Sequence, residues 1–112
     1  MAARWIFQQV AQGMRFLHDE CHIAHGDLKH QNILLGGTEN EPKIKICDFT
    51  TAVIIPEGEE ETFKIGIRAG TIFFNSPEQV TESKFLPKPL DVWAFGITLY
   101  VYLTNSLPFI NS

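Results

Sequence analysis

The stretch HGDLKHQN, residues 25–32, places a histidine, an acid, a lysine and an asparagine within eight positions. Asp27 and Asn32 lie in this stretch, and a further acid, Asp48, follows a later apolar run. Carboxylate and amide oxygens are hard ligands that suit a Mg²⁺ ion carrying substrate phosphates. Lys29 adds a point charge for a phosphate oxygen, and Asp27 can accept a proton from an attacking hydroxyl. Together these residues favour a phosphoryl-transfer site, although each Asp or Asn taken singly is more often a turn residue.

The composition is typical of one small soluble globular domain, with 112 residues, 45% hydrophobic and 20% charged. The net charge of −4 argues against a nucleic-acid binder, because phosphate backbones call for clustered Lys and Arg. The one acidic cluster, residues 57–61, we interpret as a solvated loop. Polar residues interrupt the N-terminal stretch where a signal peptide would be apolar, and the longest apolar run, 92–103, is too short to span a bilayer. We therefore expect a cytoplasmic protein with no membrane span.

Hydrophobic periodicity predicts an α+β fold that is mainly α with short β-hairpins. Apolar residues at helical spacing predict an amphipathic helix over residues 4–18. Short apolar runs at 33–35 and 44–46, separated by glycines and an asparagine, predict a β-hairpin. Residues 51–76 show no sustained period, which predicts a long functional or mobile loop. An apolar run introduced by prolines predicts a helix over 90–104 that is buried on every side.

Four motifs in order resemble those of eukaryotic-type protein kinases. Residues 25–32 resemble the catalytic loop HRDLxxxN. DFT at 48–50 stands where the family has DFG, and SPE at 76–78 stands where it has APE. DVWAFG at 91–96 resembles the family's DVWxxG helix. Four motifs at family-like spacing are far more specific than any one of them, so the chain is identified as similar to this family over nearly its whole length.

The resemblance also implies a branch and a fold. Lys29 is typical of the Ser/Thr branch, and residues 88–109 are closest to the calcium/calmodulin-dependent protein kinase kinase group. The implied fold is an incomplete protein-kinase-like C-terminal lobe, with residues 1–112 as a partial kinase domain. Its implied parts are the helix 4–18, the catalytic loop 25–32, the activation segment 48–78 and the buried helix 90–104.

The resemblance implies a chemical role for five residues. Asp27 is the catalytic base that orients the substrate hydroxyl, and Lys29 steadies the γ-phosphate of ATP. Asn32 and Asp48 hold Mg²⁺, and Leu34 forms the floor beneath the adenine. The parent protein is then expected to transfer the γ-phosphate of ATP to a protein Ser or Thr hydroxyl. Its implied cofactors are ATP and Mg²⁺, and its implied partner is a protein substrate rather than a nucleic acid.

Other matching residues have implied positioning roles. Thr71, after Gly70, helps to position the catalytic base and the substrate. His25, Phe49 and Asp91 are expected to stack or hydrogen-bond as the lower part of the family's regulatory spine. For His25 the structural interpretation is a core histidine bonded to backbone, not a base.

The chain also departs from the kinase pattern in its extent. It opens where the family's second lobe opens, and its 112 residues contain no Gly-rich loop, strand lysine or partner glutamate to clamp the ATP phosphates. The helices that normally follow Phe109 are absent too. We therefore expect a fragment, a truncated gene product or an incomplete gene model that binds ATP weakly and transfers no phosphate when purified alone.

Two substitutions within the motifs affect regulation. Gly26 replaces the family's arginine, which normally pairs with a phosphate on the activation loop, so control by loop phosphorylation should be absent or depend on another base. Thr50 replaces the DFG glycine, and a β-branched residue avoids backbone angles that glycine reaches. The flip of Asp48 and Phe49 should therefore be restricted, which should alter inhibitor preference more than turnover.

Two alternatives to an active protein kinase stay open. The first is a pseudokinase, a scaffolding or binding module that keeps the fold without turnover; Gly26 and Thr50 favour it. The second is a small-molecule kinase of the aminoglycoside or choline type, whose loop also contains His-Gly-Asp. Those enzymes usually carry histidine where Lys29 stands, and they lack the motifs at 76–78 and 91–96.

Overall fold

The structure is a computed structural model that describes residues 2–66 and 76–106. Helices and short antiparallel strand pairs are both present, as an α+β class requires. In chain order the elements are helix α1 (Ala2–Arg15), a π-helical turn (Phe16–Glu20), strand β1 (Ile23–Ala24), a 3₁₀ turn (His30–Asn32), strands β2 (Ile33–Gly37), β3 (Pro42–Ile46) and β4 (Val53–Ile54), and helices α2 (Pro77–Thr81) and α3 (Pro87–Thr104).

Helix α1 and the π-helical turn after it form the predicted N-terminal helix. The apolar stripe of α1 is buried against Leu28 and Ala94, so α1, the loop before β2 and α3 share one core. Gly13, a poor helix former, faces this core, and a Cβ there would lie 3.0 Å from the Ile46 side chain. Glycine therefore allows α1 to approach β3 closely. The buried members of the stripe are Ile6, Phe7, Val10 and Met14.

The predicted β-hairpin is confirmed: β2 and β3 pair antiparallel, with Ile33 opposite Ile46. Gln9 of α1 fastens the hairpin to the helix through its side-chain amide. Its Nε2 donates to the carbonyl of Pro42 at 2.7 Å, and its Oε1 accepts from the amide of Ile44 at 3.1 Å. Backbone groups on β3 that face α1 are thereby satisfied, as buried or half-buried polar groups require.

The segment predicted as one long loop contains paired backbone. Strand β4 pairs antiparallel with β1, and the amide of Ile55 extends this pairing by donating to the carbonyl of His22 at 2.8 Å. Ile65 forms an isolated bridge with Phe85, and the two pack with Leu90 in a second small cluster. The prediction of an irregular loop is wrong at these points, because pairs this short give no periodic pattern in the sequence.

Helix α3 begins at Pro87, earlier than predicted, with proline in the first turn where a missing N–H is tolerated. Asn105 ends it in a left-handed conformation, with φ of 57°. One face of α3 is buried, but Val92 is 59% exposed and Leu103 is 64% exposed. The prediction of burial on every side is wrong for the described residues, because the buried positions of α3 recur every three to four residues and so lie on one face. Across the described residues, every helix falls short of the length and apolarity needed to cross a bilayer.

Candidate active site

The loop 25–32 runs from the end of β1 to the 3₁₀ turn that begins β2. Two of its side chains, His25 and Leu28, are each only 1% exposed. Leu28 packs in the main core with residues of α1 and α3. The buried side chains of His25 and Leu28 therefore hold the loop in place. Asp27, between them, and Lys29, directly after Leu28, are half-buried at the surface.

The carboxylate of Asp91 fixes the start of this loop. It accepts hydrogen bonds from the backbone amides of His25 at 2.7 Å and Gly26 at 2.9 Å. A third donor, Nε2 of His18, lies 2.8 Å away. Asp91 is itself 1% exposed, so these charge-assisted bonds satisfy a carboxylate that has lost its water. Helix α3 thus holds the loop through one buried side chain, and the expected bond between His25 and Asp91 is present.

Both ring nitrogens of His25 are engaged in structural hydrogen bonds. Nε2 lies 2.8 Å from the carbonyl of Cys47, which can only accept, so Nε2 carries the proton. Nδ1 then accepts from the amide of Asp27 at 3.2 Å. The ring also meets Phe49 edge to face, with centroids 4.9 Å apart. His25 is accordingly a structural histidine that joins the two loops, as the sequence interpretation expected.

Asp27 and Lys29 lie side by side at the surface of the loop. Nζ of Lys29 is 3.6 Å from Oδ2 of Asp27, and the two side chains are 22% and 17% exposed, respectively. A carboxylate and a cation at this distance can meet a hydroxyl and a phosphate at the same time. The predicted base and the predicted phosphate-binding group are thus neighbours.

Asn32 links this loop to the segment that carries Asp48. Its side-chain Nδ2 donates to the carbonyl of Asp27 at 2.7 Å, and its own carbonyl accepts from the amide of Cys47 at 2.8 Å. Because Nδ2 faces the carbonyl of Asp27, the side-chain oxygen Oδ1 of Asn32 points away from that carbonyl. Asn32 is 6% exposed, so its orientation is fixed by packing as well as by these bonds.

Asp48 follows Cys47 directly and is exposed, with a left-handed backbone at φ of 61°. Its Oδ1 accepts from Oγ1 of Thr50 at 2.5 Å and from the amide of Thr50 at 3.3 Å. These two bonds lower the pKa of Asp48 below its ordinary value of 3.8, and the charge of Lys29 acts in the same direction. Asp48 therefore stays ionised at neutral pH and presents a hard anionic oxygen.

The donor set suits Mg²⁺. Asn32 and Asp48 offer an amide oxygen and an ionised carboxylate from chain segments that are hydrogen-bonded to each other. Mg²⁺ is commonly held by one or two such groups together with water and substrate phosphates. Within residues 2–66 and 76–106, no three or more His, Cys, Asp or Glu side chains come together as a possible metal cage. The amide oxygen of Asn32 and the carboxylate of Asp48 thus fit a Mg²⁺ ion that is also coordinated by phosphate and water.

The remaining predicted site residues have different outcomes. Leu34 lies on β2, two residues after Asn32, and is 54% exposed, so its apolar side chain is available to a flat ligand. Thr71 and Gly70 lie outside the described residues. Sequence reasoning missed His18 as a partner of the buried acid. A signal was available, because His18 falls four positions after Met14 on the buried stripe of the first helix.

A family model described as a protein kinase domain matches residues 1–112. The chain belongs to the protein kinase family. Similar proteins include several named as Serine/threonine-protein kinases. It is 37% identical over 109 residues to the Serine/threonine-protein kinase dkf-1 of Caenorhabditis elegans and to the Serine/threonine-protein kinase SAPK3 of Oryza sativa subsp. japonica. It is 37% identical over 106 residues to the Serine/threonine-protein kinase chk-1 of Caenorhabditis elegans.

These matches cover 95–96% of this chain but 14% of dkf-1, 20% of chk-1 and 30% of SAPK3. The kinase chain therefore spans less than a third of the length of these relatives. Membership of the eukaryotic-type Ser/Thr kinases, predicted from the four motifs, is confirmed. The resemblance to the calcium/calmodulin-dependent kinase kinase group stays a prediction.

Gly26 stands where the kinase motif has arginine, and its backbone conformation is one that residues with a Cβ adopt only with strain. Its φ is 90°, a region open to glycine and costly for residues with a Cβ. A Cβ there would also lie 2.5 Å from the backbone oxygen of Thr51. The sequence interpretation explained Gly26 by the lost arginine alone. The structure adds a steric reason, the close approach of Thr51, whose hydroxyl donates to the carbonyl of His25 at 3.3 Å.

Proposed function

We propose that this chain is a C-terminal-lobe segment of a protein Ser/Thr kinase that transfers the γ-phosphate of ATP to a protein hydroxyl. One observation carries the proposal. Asp27, Lys29, Asn32 and the segment leading to Asp48 are joined by short contacts: 3.6 Å between Lys29 and Asp27, 2.7 Å between Asn32 and Asp27, and 2.8 Å between Cys47 and Asn32. A base, a cation and two oxygen ligands for Mg²⁺ are the parts that phosphoryl transfer needs.

In the proposed mechanism the residues mainly position and stabilise. Asp27 accepts the hydrogen bond of the substrate hydroxyl and takes its proton as the hydroxyl oxygen bonds to the γ-phosphorus. The bond from that phosphorus to the β,γ-bridging oxygen breaks in the same transfer, and ADP leaves. Lys29 stabilises the charge on the γ-phosphate oxygens. Asn32 and Asp48 hold Mg²⁺, which when bound with ATP neutralises the phosphate charge. Asn32 also supports the base, because its side chain fixes the carbonyl of Asp27.

Two further residues complete the proposed site. Leu34, exposed on β2, offers apolar contact to the adenine of ATP. Thr71 is proposed from its motif to help position the substrate and Asp27. The substrate class is a protein carrying Ser or Thr, and we propose a cytoplasmic location for the reaction.

We also propose that the 112 residues alone bind MgATP weakly and do not turn it over. They contain no Gly-rich loop, strand lysine or partner glutamate, the parts with which kinases cover and clamp the phosphates. Leu34, the proposed contact for adenine, is about half exposed, and we propose that the parts missing from these 112 residues would cover a ligand bound there.

Phosphate transfer in the full-length protein encoded by the gene tests this function. Wild-type protein should transfer labelled phosphate from ATP to a generic Ser/Thr protein substrate in the presence of Mg²⁺. Asp27→Asn should reduce transfer by about 10²- to 10⁴-fold, the usual contribution of a general base, while MgATP binding persists. Equal transfer by wild type and Asp27→Asn would contradict the proposed role, and transfer by the isolated 112 residues would contradict the proposed need for the missing parts.

The second candidate is a pseudokinase that binds or scaffolds without turnover. The departures from the kinase motifs at Gly26 and Thr50 are the observations behind this candidate, and at Gly26 a φ of 90° and the nearby Thr51 oxygen disfavour the motif arginine. MgATP binding without any transfer by the full-length protein would select this alternative. The small-molecule kinase alternative instead predicts transfer to an aminoglycoside or choline but not to protein.

A further inference from the structure

We infer that Thr50 is a positioning residue for Asp48, whose hydroxyl holds one carboxylate oxygen so that the other is presented to Mg²⁺. The inference rests on the proposed function, in which Asp48 is a metal ligand. Where the kinase motif has glycine, this chain has a side chain that can reach the preceding acid. The hydroxyl bond is therefore a feature of this chain that the family motif does not supply.

The contact is a local clamp on one atom. Oγ1 and the backbone amide of Thr50 both donate to Oδ1 of Asp48, at 2.5 Å and 3.3 Å. Two donors on one oxygen fix the rotation of the carboxylate and direct Oδ2 away from Thr50. The backbone of Asp48 is left-handed, which is uncommon for a residue other than glycine. Hydrogen bonds from Thr50 help to offset the cost of that conformation.

Contacts of the residues on either side of Asp48 hold its backbone in place, so that rotation of its side chain is the main motion left. On one side, the amide and the carbonyl of Cys47 bond to Asn32 and His25 at 2.8 Å each. On the other, Phe49 packs edge to face against the ring of His25. The backbone around Asp48 is thus tied to the catalytic loop, while its carboxylate is exposed and would turn freely in water. The Thr50 hydroxyl removes that freedom before a metal binds, and preorganised ligands bind more tightly.

Three variants of the 112-residue chain isolate the hydroxyl. Thr50→Val keeps the β-branched shape and removes the donor, Thr50→Ser keeps the donor, and Thr50→Ala removes the donor without a branch. The backbone amide remains in all three. Thr50 is exposed, so each variant should keep the fold, and the ligand response is measured as a shift from that variant's own ligand-free melting temperature.

The first measurement uses MgATP. Titrating Mg²⁺ at fixed ATP, we expect Thr50→Val and Thr50→Ala to raise the Mg²⁺ concentration of the half-maximal melting shift by about three- to tenfold. This is the net effect of losing one typical intramolecular hydrogen bond at an exposed site. Thr50→Ser should stay within about twofold of wild type, a rescue that a purely structural role for the branched side chain would not give.

The second measurement needs no metal. The Hα–Hβ couplings of Asp48 in solution NMR should indicate one side-chain rotamer in wild type and Thr50→Ser. In Thr50→Val and Thr50→Ala they should be averaged.

The outcomes separate this inference from the proposed function. A Mg²⁺ response that is the same in wild type and Thr50→Val overturns the role of Thr50 and leaves the proposed function standing. No Mg²⁺-dependent response to ATP in either the wild-type 112-residue chain or the wild-type full-length protein overturns the proposed nucleotide site and the inference with it. Averaged Asp48 couplings in wild type also overturn the inference, whatever the metal response.

Discussion

The two acids that organise this site, Asp91 and Asp48, lie in opposite environments. Asp91 is 1% exposed and accepts from three groups that are 65 to 73 positions away in the chain. Asp48 is exposed, and its carboxylate is bonded to Thr50, two positions on. The buried acid therefore holds the architecture, and the exposed acid is available to a ligand. Substitutions should separate the two roles, with stability changing at one and ligand response at the other.

The largest effect on stability is expected at the buried acid. Asp91→Ala removes the acceptor for His18 and for two backbone amides, and unpaired buried donors each cost about 1–3 kcal/mol. We expect the free energy of unfolding, measured by urea denaturation, to fall by about 3 kcal/mol or more. Asp19→Ala is the matched control, because Asp19 is exposed in a surface ion pair with Arg15 at 3.8 Å. It should change stability by less than about 0.5 kcal/mol, and equal losses in both variants would contradict the anchoring role.

A smaller effect is expected at Gly26. Gly26→Ala adds a Cβ that meets the oxygen of Thr51 at 2.5 Å, in addition to the strain of a φ of 90°. Gly58→Ala is the control, because Gly58 has a similar φ of 82° and open space around it within 4 Å. Strain alone should cost about 1–2 kcal/mol at either position, and the steric conflict should make Gly26→Ala clearly worse in the same urea experiment. Equal losses of stability in the two variants would mean that the backbone at Thr51 moves to make room for the added Cβ. Gly26 would then not be required for steric reasons.

These two predictions rest on features that the sequence did not reveal. The spacing of Val10 and Met14 predicted α1, and short apolar runs predicted the hairpin. The motifs brought together Asp27, Lys29 and Asn32, which the structure places in contact with one another. Local periodicity and a resemblance to known motifs were enough for these parts.

The remaining features depend on how distant segments meet. The bond between His18 and Asp91 joins residues 73 positions apart. Gly26, with a φ of 90°, lies close to the backbone of Thr51 in a distant segment. Strands β1 and β4 are two residues each, too short to show a period. The exposed face of α3 was mispredicted because an apolar composition alone does not say which neighbours will cover a helix.

The smallest effect on stability is expected at the contact between Glu60, in the acidic segment 57–61, and His22, just before β1. Oε2 of Glu60 lies 3.4 Å from Nδ1 of His22. The pKa of Glu60 is lowered from its ordinary 4.5, first by its own backbone amide and then by the charges of Lys88 and His22. Because the folded-state pKa is the lower one, the stabilising contribution is present above pH 4.5 and is lost as the pH falls through the folded-state value.

Melting temperature as a function of pH tests this contact. Glu60→Gln should flatten the loss of stability below pH 4.5 slightly, since the variant no longer has a group to protonate. Glu57→Gln, in the same acidic segment, is the control for a change of charge alone. If the two variants give the same pH profile, the position of Glu60 beside His22 has no particular effect on stability.

The central claim is that Asp48, the exposed acid, serves a Mg²⁺-bound nucleotide while Asp91 serves the fold. The most direct test is the melting temperature of the 112-residue chain as Mg²⁺ is added at fixed ATP, for wild type and Asp48→Asn. Measured from each protein's own ligand-free melting temperature, we predict a rise with Mg²⁺ in wild type and little or no rise in Asp48→Asn. A rise of the same size at the same Mg²⁺ concentration in both proteins would contradict the account.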